Sequence, residues 1–259
     1  VSGVYHTVSS KKTLFVQAPT GVGKTMSAIF PSVRAIGEGK GETLFYLTAK
    51  TITGTVAWEA FHTLRENGLK FKVTAITAKE KLCFLDSPEC TPEKCPYAKG
   101  HFDRVNDAVY ELWTTEEVYS REVIRAHAEK WQVCPFEMCL DLSVWVDGVI
   151  CDYNYAFDPN VHLKRFFGEN ISGDYIFLID EAHNLVERGR EMYSAEISRQ
   201  TLFTLRKKIR KHFPKLARAL DKASRQMLEL EEDLKASQNP YQVLSNPGVL
   251  PVTFLTISG

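Results

Sequence analysis

Hydrophobic positions along the chain follow two rhythms. Short runs rich in β-branched and aromatic residues lie at Thr13–Ala18, Thr43–Thr48, Lys72–Thr77, Gly148–Cys151 and Tyr175–Asp180. Polar or glycine-containing segments bound them and, in the first half, they alternate with helix-compatible stretches. That alternation predicts a parallel sheet covered by helices, so the expected fold class is α/β. Between Cys83 and Cys134 the rhythm stops. Pro88, Pro92 and Pro96 punctuate a cysteine-bearing loop, and a polar, helical stretch follows from about Asp103 to Lys130. This reads as an insertion within an α/β domain. Beyond Asn184 the second rhythm takes over: Leu216, Leu220, Ala223, Met227, Leu230 and Leu234 recur at steps of three or four, which predicts a helical subdomain.

Two segments carry recognisable chemistry. Ala18, Pro19, Thr20, Gly21, Val22, Gly23, Lys24 and Thr25 follow a predicted strand and open a predicted helix, the context of a phosphate-binding loop. Gly21 and Gly23 let backbone N–H groups turn inward around phosphate oxygens. Lys24 brings a point charge to the β and γ phosphates, and Thr25 offers a hydroxyl to Mg²⁺. The general pattern has Gly where this chain has Ala18, so the match is to a variant. Downstream, the apolar run Tyr175–Ile179 ends in Asp180, Glu181, Ala182 and His183. An Asp at the carboxyl end of a buried parallel strand points where ligands bind, so Asp180 can hold Mg²⁺ through water and Glu181 can orient or deprotonate an attacking water. Alone, such a carboxylate pair is as often a helix cap. With a phosphate loop upstream, the nucleotide reading prevails.

Composition changes the picture in only a few places. Hydrophobic residues make up 44% and charged residues 25%, and 32 basic residues balance 32 acidic ones, so any nucleic-acid contact must be local. No apolar run approaches the ~18 residues of a membrane span, and the N-terminus lacks a secretory layout, so a cytoplasmic protein without a membrane partner is expected. The chain starts at Val1 and ends in the apolar stretch Val252–Leu255; it reads as a fragment. Six cysteines are few for a disulfide scaffold and more often bind metal in a reducing compartment. Cys83, Cys90, Cys95 and Cys134 lack the Cys-x-x-Cys knuckle of ordinary zinc sites, and four thiolates satisfy a [4Fe–4S] cluster. A second quartet, Cys90, Cys95, Cys134 and Cys139, would instead hold zinc and leave Cys83 free; spacing does not choose between them. Cys151 reads as core and Cys139 as packing inside a helix. The run Arg206–Lys211 reads as a solvated helix face rather than a DNA track.

Together, Ala18–Thr25 and Asp180–His183 resemble superfamily 2 helicases of the DEAH type. Cys151-Asp-Tyr-Asn-Tyr-Ala-Phe-Asp158 and the intervening cysteines resemble the DinG and XPD family. The resemblance runs from about Thr13 through Asn184. It implies a RecA-like motor domain in two parts, 1–82 and 135–190, split by an iron–sulfur insertion at 83–134 and followed at 191–259 by the start of a helical, arch-like domain. It further implies ATP and Mg²⁺ as cofactors, a [4Fe–4S] cluster on Cys83, Cys90, Cys95 and Cys134, and 5′ to 3′ translocation on single-stranded DNA or single/double-strand junctions by a full-length monomer. Tyr46–Thr51 corresponds to a motif touching the DNA backbone, which nominates Thr48, Lys50 and Thr51; Lys79 and Lys81, beside Cys83, are further candidates. His183 would couple nucleotide state to DNA grip, joining Lys24, Asp180 and Glu181 as catalytic residues. An adenine-contacting Gln segment and a second motor domain with arginine fingers are not visible, so these 259 residues alone are expected to hydrolyse ATP poorly. The competing readings are a phosphate-loop nucleotide switch indifferent to DNA and a zinc-stapled interaction module.

Overall fold

A computed structural model describes residues 1–19, 21–49, 51–86, 89–236 and 241. In chain order the elements are α1 (Ser2–Ser9), α2 (Lys24–Gly37), β1 (Thr43–Thr48), α3 (Thr51–Glu66), β2 (Val73–Ala75), the single turn α4 (Lys79–Leu82), α5 (His101–Thr115), α6 (Arg121–Trp131), α7 (Pro135–Leu142) and β3 (Gly148–Asp152). Then come the short α8 (Asn154–Phe157) and α9 (Lys164–Phe167), β4 (Tyr175–Ile179), α10 (Leu185–Met192), α11 (Arg199–Ile209) and α12 (Pro214–Ala236). Contacts divide the chain into two compact units, Val1–Tyr193 and Ser194–Gly259.

In the first unit the described strands form one sheet in the order β2-β3-β1-β4, every pairing parallel. Helical crossovers are what parallel strands require, and they cover both faces. Alternate residues of each strand therefore enter different cores. Leu44, Tyr46, Ile150 and Ile176 pack with Ile29 and Val33 of α2 and with Ala57, Ala60 and Phe61 of α3. Phe45, Leu47, Val149 and Cys151 face the other way, against Val105, Ala108 and Leu112 of α5, Ile124 and Ala128 of α6, and Met138, Cys139 and Leu142 of α7.

One expectation changes. The run Thr13–Ala18 is irregular backbone, with Phe15 88% and Val16 67% exposed. A strand is held by a neighbour's backbone and by cover on its face, and the described residues supply neither there. The cysteine segment consists of the expected loop and, over the expected helical stretch, two helices. Its helices α5 and α6 supply the apolar layer that one face of the sheet needs, and only the Pro-rich stretch before them stays largely outside the core.

The second unit packs α11 on α12 through Leu202, Leu220 and Ala223. Arg206, in the basic run, pairs with Asp221 at 2.7 Å, and Arg199 pairs with Glu231 at 2.9 Å.

Candidate functional site

Because all described strands run the same way, the carboxyl ends of β1, β3 and β4 meet at one edge, where α2 begins. Gly23 caps α2 with φ +75°, and Gly21 has φ +83°. Side chains disfavour that left-handed backbone, so these are glycines for conformational reasons; an added Cβ would meet nothing within 4 Å. The result is a helix N-terminus with free N–H groups and Lys24 as its first residue. Ala18 and Pro19 lead in through irregular backbone, and Val22 is 56% exposed. Thr20 lies outside the described residues.

Opposite this loop, the Asp180 N–H donates to the Leu47 carbonyl at 3.0 Å, carrying the β1–β4 register one residue past the strand end. Glu181 adopts φ +50°, a left-handed backbone in a residue other than glycine, and caps the turn Ala182–Asn184. Its carboxylate lies 3.5 Å from Lys24 Nζ and 3.4 Å from His183 Nδ1. The structure thus brings Lys24, Glu181 and His183 together, with Asp180 adjoining. Two tyrosines that the motif reading left without a role complete the arrangement. Tyr46 is 3% exposed, and burial first of all, with Thr25 and Asp180 as neighbours, raises its phenol well above the ordinary value. Tyr153, fully buried, donates from its hydroxyl to the Asp180 carbonyl and, at 3.1 Å, to that of Glu181. Each lies within a stretch quoted for the resemblance, but no spacing assigns it a contact.

On the other face, six free cysteines divide by environment. Cys139 and Cys151 are core, and burial pushes the Cys139 thiol up to about 12. Cys139 Sγ lies 3.9 Å from Thr74 Oγ1 and 3.8 Å from the Ala75 carbonyl, inside the helix–sheet packing. The segments bearing Cys83, Cys90, Cys95 and Cys134 are tied to one another by other groups. Phe84 and Tyr97 rings approach to 4.5 Å. Arg125 donates to the Leu82 and Cys83 carbonyls and lies over Phe84. Lys79 lies beside Cys90, which raises its pKa, and near Cys134 and Glu137.

Among the described residues no three His, Cys, Asp or Glu groups form a ready metal shell. One observation nevertheless fits a sulfur-rich group here. His101, 3% exposed, accepts the Cys134 N–H at Nδ1 (3.2 Å), and burial lowers its pKa. The neutral ring then carries its proton on Nε2, a buried atom with no hydrogen-bond partner. A thiolate-held cluster would present sulfur acceptors for such an orphan donor, and the four thiols have the chemistry to hold one. The residues fit in chemistry, while their side chains are not gathered.

The DNA candidates are dispersed. Thr48 is 4% exposed with its carbonyl receiving the Tyr153 N–H, Lys79 lies beside Cys90, and Lys81 is exposed. Lys50 and the Thr51 side chain lie outside the described residues.

The DEAD_2 family model matches residues 65–202, more than half of the chain, covering the cysteine region and the DEAH turn. This chain belongs to the DEAD_2 family. It is of the XPD/DinG type among superfamily 2 helicases. The Gallus gallus Fanconi anemia group J protein homolog is 30% identical to this DEAD_2 chain over 100 residues, 39% of the chain and 7% of the relative. The Saccharomyces cerevisiae general transcription and DNA repair factor IIH helicase subunit XPD/RAD3 is 29% identical over 131 residues, covering 51% of the chain and 16% of that protein. The Dictyostelium discoideum subunit XPD is 26% identical over 140 residues, covering 54% of the chain and 17% of the protein. A solved truncated XPD matches the fold with TM-score 0.61 at 19% identity, over 88% of this chain and 64% of its own. The DEAD_2 chain therefore spans less than a fifth of each of these curated relatives.

Proposed function

We propose that this DEAD_2 chain is the nucleotide-binding motor segment of an ATP-dependent DNA helicase acting in DNA repair, coupling hydrolysis to 5′ to 3′ movement on single-stranded DNA. The observation that carries the reading is the meeting of Lys24, Glu181, Thr25 and Asp180 around one strand-end edge. The N–H groups at the start of α2 and the Lys24 ammonium bind the phosphates. Thr25 and, through water, Asp180 would hold Mg²⁺, which would neutralise charge developing on the phosphates. Glu181 takes the proton of the attacking water, and His183 relays the state of Glu181 to the DNA-facing surface.

Cys83, Cys90, Cys95 and Cys134 would hold a [4Fe–4S] cluster, which cross-links segments that burial leaves loose. The sequestration of Cys139 within the helix–sheet packing favours this quartet over the zinc alternative. Lys81, Thr51 and Lys50 are the remaining candidates for backbone contact with DNA.

The test is steady-state ATP hydrolysis by the full-length protein. Turnover should rise many-fold with single-stranded DNA, and that stimulation should fall as salt rises because phosphate contacts release counterions. Equal turnover with and without DNA would favour a nucleotide switch instead.

A further inference from the structure

Donors converge on the main chain of the DEAH turn. The Glu181 carbonyl receives the Tyr153 hydroxyl at 3.1 Å, the Asn184 N–H at 2.9 Å and the Asn184 side-chain amide at 3.0 Å. The same phenol also donates to the Asp180 carbonyl. These two carbonyls belong to the peptide units on either side of the Glu181 Cα, so holding both fixes its φ and ψ together. That is the point where the backbone most needs holding, because Glu181 stands at φ +50°, a region that residues with side chains disfavour. Tyr153 is itself immobilised. It is fully buried, and its N–H donates to the Thr48 carbonyl at 3.1 Å. Its sequence neighbours Asp152 and Asn154 each receive Arg188 Nη2 of α10 at 3.1 Å.

We infer that Tyr153 is a positioning residue that holds the Glu181 backbone in its left-handed conformation and so aims the Glu181 carboxylate at the phosphate loop. The inference rests on the nucleotide reading above and adds to it a residue outside the phosphate loop and the DEAH turn. The direction of a side chain follows from φ and ψ, and at φ +50° the carboxylate stands 3.5 Å from Lys24 Nζ and 3.4 Å from His183 Nδ1. Relaxation to the right-handed or extended regions would swing it away. The side chain does not hold itself in place: it is 40% exposed, and ion pairs at that exposure are weak. The constraint comes from beneath, through a rigid ring packed in the core. A general base acts only within hydrogen-bond reach of the proton it takes, and a misplacement of about 1 Å can cost about a hundred-fold. Phosphate binding is set elsewhere, by the positive φ of Gly21 and Gly23 and the start of α2. Loss of the phenol hydroxyl therefore separates turnover from binding.

The test uses the full-length protein with single-stranded DNA and reads kcat and KM for ATP separately, with the melting temperature beside them. Tyr153→Phe keeps the buried ring and removes only the hydroxyl. It should lower kcat about ten- to a hundred-fold while KM stays within about two-fold. In a Glu181→Gln background the same substitution should lower kcat no further, because the group it positions is already gone. Asn184→Ala withdraws a donor from the same carbonyl without touching the buried phenol, and should lower kcat in the same sense by a smaller factor. It serves where Tyr153→Phe does not fold. Unchanged kcat in a folded Tyr153→Phe, or in Asn184→Ala where the first variant does not fold, would overturn the inference, as would multiplicative losses in the double variant. Glu181→Gln that turns over at the wild-type rate would instead sink the base assignment in the nucleotide reading.

Discussion

The two faces of the sheet carry the two candidate sites, and they are organised by different means. On the α2/α3 face the nucleotide site is assembled from main-chain geometry: positive φ at Gly21 and Gly23, parallel strand ends, and a hydrogen bond from Asp180 to Leu47. On the α5–α7 face the four candidate thiols ride on segments joined by Phe84, Tyr97, Arg125 and His101, and no three candidate ligands in the described residues converge as a metal shell. Strand ends aim side chains as a by-product of folding. Thiols on a proline-rich stretch need the bound group itself to draw them together.

The largest expected effect weakens β1, the strand both faces share, from its α5–α7 side. Phe45 is fully buried and makes ring contacts with Phe166, Phe167, Tyr175 and Phe177. Phe45→Ala should cost about 3–5 kcal/mol in denaturant unfolding and lower nucleotide binding and iron content together. If only one of the two fell, the faces would be independent of their common sheet.

Next, Lys24→Ala should reduce ATP turnover of the full-length protein by about 10²–10³-fold with unchanged melting temperature and iron content, since it removes charge and no core. Loss of iron in that variant would contradict the separation of the sites. On the opposite face, Cys134→Ser should strip most bound iron and the absorbance near about 400 nm while sparing ADP binding. Cys139→Ser should leave the iron and lower stability instead, because it exchanges a buried thiol for a more polar hydroxyl. A zinc-loaded protein in which Cys139→Ser loses metal and Cys83→Ser does not would reverse the assignment.

The smallest effect is electrostatic. Glu111 on α5 is held below its ordinary carboxylate value first by the Lys130 hydrogen bond and then by Trp131, both on α6. A depressed carboxylate contributes stability above its unfolded value and loses it as pH falls through the folded one. Glu111→Gln should lower the melting temperature slightly at neutral pH, with the difference fading in acid. A constant difference across that range would place the contribution elsewhere.

What could be read from residues alone follows the same division. β1 spans the residues expected of it, and β3 and β4 end within a residue of theirs, because strands covered on both faces are written as continuous apolar runs. The phosphate loop and DEAH turn are legible because each compresses its chemistry into adjacent residues. Tyr46, Tyr153 and His101 were not, since their partners lie in other elements and only the register of the sheet or the packing of α5 brings them near. The apolar run at Thr13–Ala18 misled for a related reason: strand-like composition describes a surface that wants cover, and cover is a tertiary property.

The ion pair between Lys24 and Glu181 bears on how a nucleotide would enter the proposed site. On the proposed nucleotide reading, entry would be an exchange of partners rather than an addition, because a phosphate would have to take the ammonium from a carboxylate already beside it. The cost of that swap is set against every incoming ligand, and it is best met by one whose terminal phosphate is both highly charged and long enough to reach Lys24. Once displaced, Glu181 is left without its cation next to the newcomer. On that reading, filling the site and releasing Glu181 would be one event, which a nucleotide too short to reach Lys24 would not set off.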